Sequence, residues 1–354
     1  MREGLLEHFA DQARVCVEYG SPFTGQLIAA LAADIAAGGP TAPLVTDWPG
    51  SPRGDALSLR LTGALHAAVL TGRAPDLAAV YPPATPDWSM DEVWPRARAF
   101  IADDADWVAQ FLRSAPQTNE TRRAIALLAG FLDVARSHGA PMDTLEIGAS
   151  AGLNLHWDRF AYRTASWRWD GRWGGESAVV VDTDWRGPPP AVDADVRVRT
   201  RAACDLNPLD VRDPAQRLQL RAYVWPDQPA RLARFDAAAD LAVAADVTVD
   251  RADAAEWLER KLAARAHDAV TVVYHSVFYQ YPPATTRRRI ADVIAAAGAA
   301  GPAPLVWLRL EPEGALGGPR DSPRFLVDTV RWPGGVRHIL AETDGHVRSV
   351  TTLA

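Results

Sequence analysis

The chain has 354 residues, 48% hydrophobic and 23% charged, with 25 glycines, 27 prolines, 2 cysteines and a formal net charge of −7. At roughly 100–200 residues per domain this length predicts about two domains, and the composition excludes a disordered or disulfide-stapled protein. The negative charge argues against a nucleic-acid partner, Cys16 and Cys204 suit a reducing cytoplasm, and neither an export-like start nor a run of roughly 18 apolar residues points to a membrane.

The first 140 or so residues read as a helical N-terminal lid domain. Leu27, Ile28, Leu31 and Ile35 fall at helical spacing until Gly38-Gly39-Pro40 stops them, and Leu57, Leu61, Leu65 and Val69 repeat the pattern. A Pro-rich break at residues 81–86 precedes helix through Phe100, Trp107 and Phe111. The last helix carries Ile125, Leu128 and Leu132 on one face. Thr118 or Asn119 is its expected cap, and Gly139 with Pro141 is its stop.

From about residue 141 to residue 354, short apolar runs alternate with helical patterns, the mark of a parallel sheet with crossover helices. Strands are expected at 144–147, 196–202, 246–249, 270–274 and 305–310, with helices over about 214–239, 254–266 and 286–297. Residues 336–342 and 347–351 around Asp344-Gly345 predict a closing antiparallel hairpin. Between the first two strands, an insertion over about 163–195 places Trp167, Trp169, Trp173 and Trp185 among glycines and prolines. It reads as a small β excursion, either a plug on the domain or a flap over a ligand. The basic run Arg287-Arg288-Arg289 reads as the solvated face of a helix.

The segment Leu145-Glu146-Ile147-Gly148-Ala149-Ser150-Ala151-Gly152-Leu153-Asn154 runs from a strand into small residues and, by expectation, into a helix whose free amide groups would favour a polar or anionic ligand. It fails the dinucleotide fingerprint, because Ser150 stands at the second glycine. Gly-Ala-Ser-Ala-Gly also matches the nucleophile elbow of serine hydrolases, with Ser150 as nucleophile and His275, His338 or His346 as partner. The helical region ahead of it lacks the strands and oxyanion loop that such an enzyme needs.

Over residues 143–354 the chain resembles the class I S-adenosylmethionine-dependent methyltransferases, whose first motif is written here as Glu146-x-Gly148-x-Ser150-x-Gly152. The resemblance implies a Rossmann-like α/β sheet with an antiparallel C-terminal hairpin, with S-adenosylmethionine as cofactor and no metal. The cofactor-binding residues it implies are Glu146, Gly148, Ser150, Gly152, Asn154, Asp253, Ala254, His275 and Ser276, with Asp205 for the ribose and Asp170 as a rival for that role. It further implies His275 and Glu311 as catalytic groups and an unidentified small-molecule acceptor, methylated on oxygen sooner than on nitrogen. With Gln117-Thr118-Asn119-Glu120-Thr121-Arg122, the loop from Glu146, Cys204-Asp205-Leu206-Asn207-Pro208-Leu209-Asp210 and Tyr274-His275-Ser276-Val277, the whole chain resembles an uncharacterised bacterial family of unknown function, which suggests Gln117, Asn119 and Glu120 as substrate contacts; Tyr279, after the fourth strand, is a further candidate for that role. A cofactor-binding module without turnover is the alternative from another class.

Overall fold

The computed structural model describes residues 2–171 and 177–353. The helices are α1 (Arg2–Glu18), α2 (Pro22–Ala36), α3 (Ala42–Val45), α4 (Leu57–Leu70), α5 (Pro75–Ala78), α6 (Met90–Asp103), α7 (Ala105–Phe111), α8 (Arg123–His138), α9 (Pro214–Ala222), α10 (Pro229–Ala244), α11 (Ala254–Ala263) and α12 (Ala284–Ala299). The chain divides into two compact units, one of Met1–Thr118 with Arg212–Asp236, the other of Asn119–Val211 with Ala237–Ala354. The units therefore part at Thr118 and not near residue 140. The segment 212–236, read from the sequence as a crossover of the sheet domain, belongs to the helical unit.

In the first unit the apolar stripe of α2 is buried as its spacing predicts, with Leu27, Ile28, Leu31 and Ile35 inside. Ser21 caps this helix by accepting the Thr24 amide, and Pro22 supplies the preset first turn. The expected single helix over 214–239 is two helices, because Pro226 and Pro229 cannot donate backbone bonds. Trp225, in the break, packs into the same core as Phe9, Leu61 and Tyr81. Asp227 ties this break to the start of α2, accepting the Ser21 hydroxyl at 2.5 Å and the Phe23 amide at 3.0 Å.

Among the described residues the second unit has twelve strands: β1 (Met142–Ile147), β2 (Ala161–Arg163), β3 (Arg168–Trp169), β4 (Val180–Asp182), β5 (Asp184–Arg186), β6 (Val198–Asp205), β7 (Asp250–Arg251), β8 (Val270–Ser276), β9 (Leu305–Pro312), β10 (Phe325–Trp332), β11 (Val336–Thr343) and β12 (Ser349–Thr352). Nine form a mostly parallel sheet in the order β5-β12-β11-β10-β9-β8-β1-β6-β7, and three form a small sheet in the order β3-β2-β4. This is a mixed α/β unit. β1 pairs in parallel with both β6 and β8, so the winding reverses direction between β1 and β8.

Helices α11 and α12 cover one face, where Trp257, Leu258, Ile290 and Ile294 pack with Leu145, Ile147, Val273 and Trp307. Helix α8 lies on the other face. Its Phe131 ring stands edge-on to Tyr274 of β8 at 5.1 Å and stacks on Trp157 at 3.8 Å. Gly139 ends α8 in the left-handed conformation, as expected.

Three features of the strands differ from the sequence reading. The third strand is only Asp250–Arg251, beyond the expected 246–249. The hairpin of β11 and β12 is present, but β10 lies between it and β9, antiparallel to both neighbours, so the sheet closes as a meander. The insertion is divided: β2, β3 and β4 make the small sheet, whereas β5 joins the large sheet beside β12. Trp167, Trp169 and Trp185 are buried, which fits the plug reading, and Trp173 lies outside the described residues.

Candidate functional site

In an open α/β sheet, ligands bind beyond the carboxyl ends of the strands where the winding reverses. Here that place is made by the turn after β1, the end of β6 with Asp205, the end of β8 with His275 and Ser276, and the end of β9 with Glu311. The sequence-predicted residues thus gather on four neighbouring strands, although 36 residues separate His275 from Glu311.

The turn after β1 alternates into the left-handed region at Gly148 (φ +68°), Ser150 (φ +57°) and Gly152 (φ +69°). A Cβ on Gly148 would lie 2.2 Å from Phe278 Cδ2, and one on Gly152 2.8 Å from Val247 Cγ1, so packing against the chain itself requires both glycines. The helix expected after the turn is missing. The chain continues in turns to the short 3₁₀ segment Trp157–Arg159, because the insertion begins where a crossover helix would run.

The turn's amides are also occupied, contrary to the expected free donors. Asn119 Oδ1 accepts from Ala151 N at 3.2 Å and Leu153 N at 3.0 Å, while Asp205 Oδ2 accepts from Ser150 N at 2.9 Å. Asn119 therefore latches the turn and does not cap α8, whose first residue follows Arg122 with no side-chain cap. Asn154 donates to the Glu120 carbonyl at 3.4 Å, and Glu120 Oε1 accepts the Arg122 amide, so these residues form a scaffold behind the turn. Gln117 falls in the first unit.

Asp205 is half-buried and also accepts the Asn207 amide through Oδ1 at 2.8 Å. Its rival Asp170 pairs with Arg163 in the small sheet. Asp253 caps α11, its Oδ1 accepting from Ala255 N at 2.9 Å and Glu256 N at 3.2 Å, and Ala254 is the buried first residue of that helix.

His275 and Glu311 are both completely buried and hydrogen-bonded to each other, Nδ1 to Oε1 at 2.6 Å. The same Oε1 accepts Phe278 N at 2.8 Å and Tyr279 N at 3.0 Å. Tyr279, expected at the substrate, instead donates its hydroxyl to the Arg287 carbonyl at 2.6 Å and stacks on His275. Between them Val277 sits at φ +52°, a strained conformation for a β-branched residue, held by its amide on Leu310 O at 2.8 Å.

On the α8 face Glu146 stands in register with Tyr274, which donates its hydroxyl to Oε2 at 3.0 Å. Burial raises the Glu146 carboxyl to about 8, opposed by the Tyr274 bond and reinforced by the charge of Asp205. The sequence reading missed Tyr274, although its place one residue before His275 on a strand sends it to the opposite face. It also missed the pair of half-buried Arg201 and buried Asp158 at 2.5 Å, which lies beside this face. Among the described residues no three His, Cys, Asp or Glu side chains gather as a metal ion would need, and no helix is long and apolar enough to cross a membrane.

A family described as an uncharacterized protein conserved in bacteria (DUF2332) matches residues 6–352. The chain belongs to this family. No curated protein and no solved structure matches the chain. Membership extends through both compact units and covers every residue of the strand-end cluster.

Proposed function

We propose that the protein is an S-adenosylmethionine-dependent methyltransferase acting on a small molecule, with a Rossmann-like catalytic unit. The observation that carries this reading is Asp205 at the end of β6, one hydrogen bond from the turn that follows the adjacent β1. A carboxylate offers about four acceptor positions. Two are taken by Ser150 N and Asn207 N, which leaves two for the paired hydroxyls of a ribose. The acid therefore fits the cofactor. The turn amides do not fit its carboxylate end, since Asn119 occupies two of them. When bound, the cofactor supplies an already activated methyl group, so the chain has to align an acceptor and exclude water.

The serine hydrolase reading is weaker on the same turn. Ser150 has the strained φ of an elbow, and its hydroxyl has no partner among the described residues. Yet Ala151 N, the amide that would serve an oxyanion, is held by Asn119, and Ser150 is bonded toward β6, whereas His275 stands on β8 across β1. A cytoplasmic setting accords with Cys16 and Cys204 being buried and free.

Titration calorimetry with S-adenosylhomocysteine tests the cofactor. The intact protein is expected to bind it saturably and to prefer it over the 2′-deoxyribose analogue. Asp205→Asn should bind roughly 10- to 100-fold more weakly and discriminate less between the two, as loss of hydrogen bonds to a charged acceptor implies. Absence of binding by a folded wild-type protein would overturn the proposal. Binding with no transfer to any acceptor would favour the non-catalytic module.

A further inference from the structure

An oxygen that receives two backbone N–H groups is an acceptor, so the hydrogen between His275 and Glu311 belongs to Nδ1 of the imidazole. In the neutral ring Nε2 then carries a lone pair. That atom is buried and without a partner among the described residues, an arrangement that costs about 1–3 kcal/mol when left unpaired. Its surroundings are aromatic: the rings of Tyr279, Phe278 and Trp307 lie 5.4, 5.6 and 5.9 Å from the imidazole, centroid to centroid.

We infer that Nε2 of His275 takes the proton of a hydroxyl group on the methyl acceptor, with Glu311 as the positioning residue that fixes the ring's tautomer. This inference rests on the transferase reading above. A hydroxyl is neutral before transfer and suits a buried aromatic setting, whereas an ammonium would bring a charge into it and a carboxylate would bring no proton. The step balances: a C–O bond forms as the C–S bond breaks with its electron pair left on sulfur, and the hydroxyl proton passes to Nε2. The resulting imidazolium remains paired with the Glu311 carboxylate.

Glu311 has a second task. Its bonds to Phe278 N and Tyr279 N, with the Val277 amide on Leu310, close the strained turn over the imidazole. His275 is fully buried, so an acceptor reaches Nε2 only if this turn opens.

The test joins three measurements on the full chain. Nitrogen-15 NMR of labelled histidine should show His275 protonated at Nδ1 in the wild type and in Glu311→Gln, which keeps an acceptor oxygen, but not in Glu311→Ala. Labelled methyl transfer from S-adenosylmethionine to a panel of phenols and alcohols should fall at least ~100-fold in His275→Asn, far beyond any change in S-adenosylhomocysteine affinity. Transfer should fall in Glu311→Ala and recover only in part in Glu311→Gln, which restores the tautomer but not the charge that faces the imidazolium.

Protonation at Nε2 in the wild type, undiminished transfer by His275→Asn, or transfer confined to carboxylic acids would overturn the inference and leave the transferase reading standing. No transfer to any hydroxyl compound by a wild type that binds S-adenosylhomocysteine would overturn it too. Failure of that ligand to bind defeats the transferase reading first.

Discussion

Replacing Asp328 by alanine is expected to destabilise the second unit by about 3–5 kcal/mol, a loss large enough to lower its thermal midpoint by roughly 10 °C. Asp328 of β10 is fully buried and accepts two parallel bonds from Arg309 of β9, Nε and Nη2 both at 2.7 Å. The Arg309 guanidinium is itself buried and lies 4.4 Å above the Trp307 ring, so removing the carboxylate strands a cation with only an aromatic face for company. Arg337 of β11 also reaches Asp328, at 2.5 Å, but it is 39% exposed and can turn to water. Arg337→Ala should therefore cost less than about 1 kcal/mol. A joint change of Arg309→Met and Asp328→Leu should recover most of the stability, because an apolar pair requires no compensation for lost hydration. Urea unfolding of the four proteins checks this, and an Asp328→Ala midpoint equal to wild type would show that the pair does not hold the meander.

The second large effect is a pH dependence centred on Glu146. Its folded carboxyl titrates at about 8 against an ordinary 4.5, mainly because it is buried. Below pH 4.5 the group is protonated in both folded and unfolded chains and contributes no difference. Between 4.5 and about 8 the unfolded chain releases the proton while the folded chain keeps it, so stability falls as pH rises. Above 8 the loss is complete, on the order of 4–5 kcal/mol for this one group. Glu146→Gln cannot ionise and keeps an oxygen for Tyr274, so it should flatten this part of the curve and be the more stable protein at pH 8.5. Denaturant midpoints at pH 5 and pH 8.5 decide the matter. An unchanged slope in the variant would place the titration elsewhere.

The alternation of strands and helices after residue 141 was legible because buried parallel strands are short apolar runs and the helices between them carry one apolar face. Strand β10 was not legible for the reason that makes it stable: Phe325–Trp332 contains Asp328 and Arg331, and a charged residue reads as exposed until its partner is known. The break between α9 and α10 was readable from Pro226 and Pro229, and the stronger apolar pattern around it hid the signal. At the site, residue types pointed correctly to Asp205, His275 and Glu311 as strand-end groups. Their partners were not legible, since nothing in the sequence distinguishes an Asn119 that caps a helix from one that receives the amides of a turn 32 residues away. Each use asks the same of that oxygen.

The helical unit's split along the chain has a consequence for how the protein is made. A nascent chain that has emerged only to Thr118 lacks Asp227, which receives the Ser21 hydroxyl and the Phe23 amide, and lacks Trp225 in its core. The amino-terminal part of the molecule cannot be the first to finish folding during synthesis, whatever its place in the chain. It waits until residue 236 has left the ribosome, by which time β1 and β6 have been available to pair.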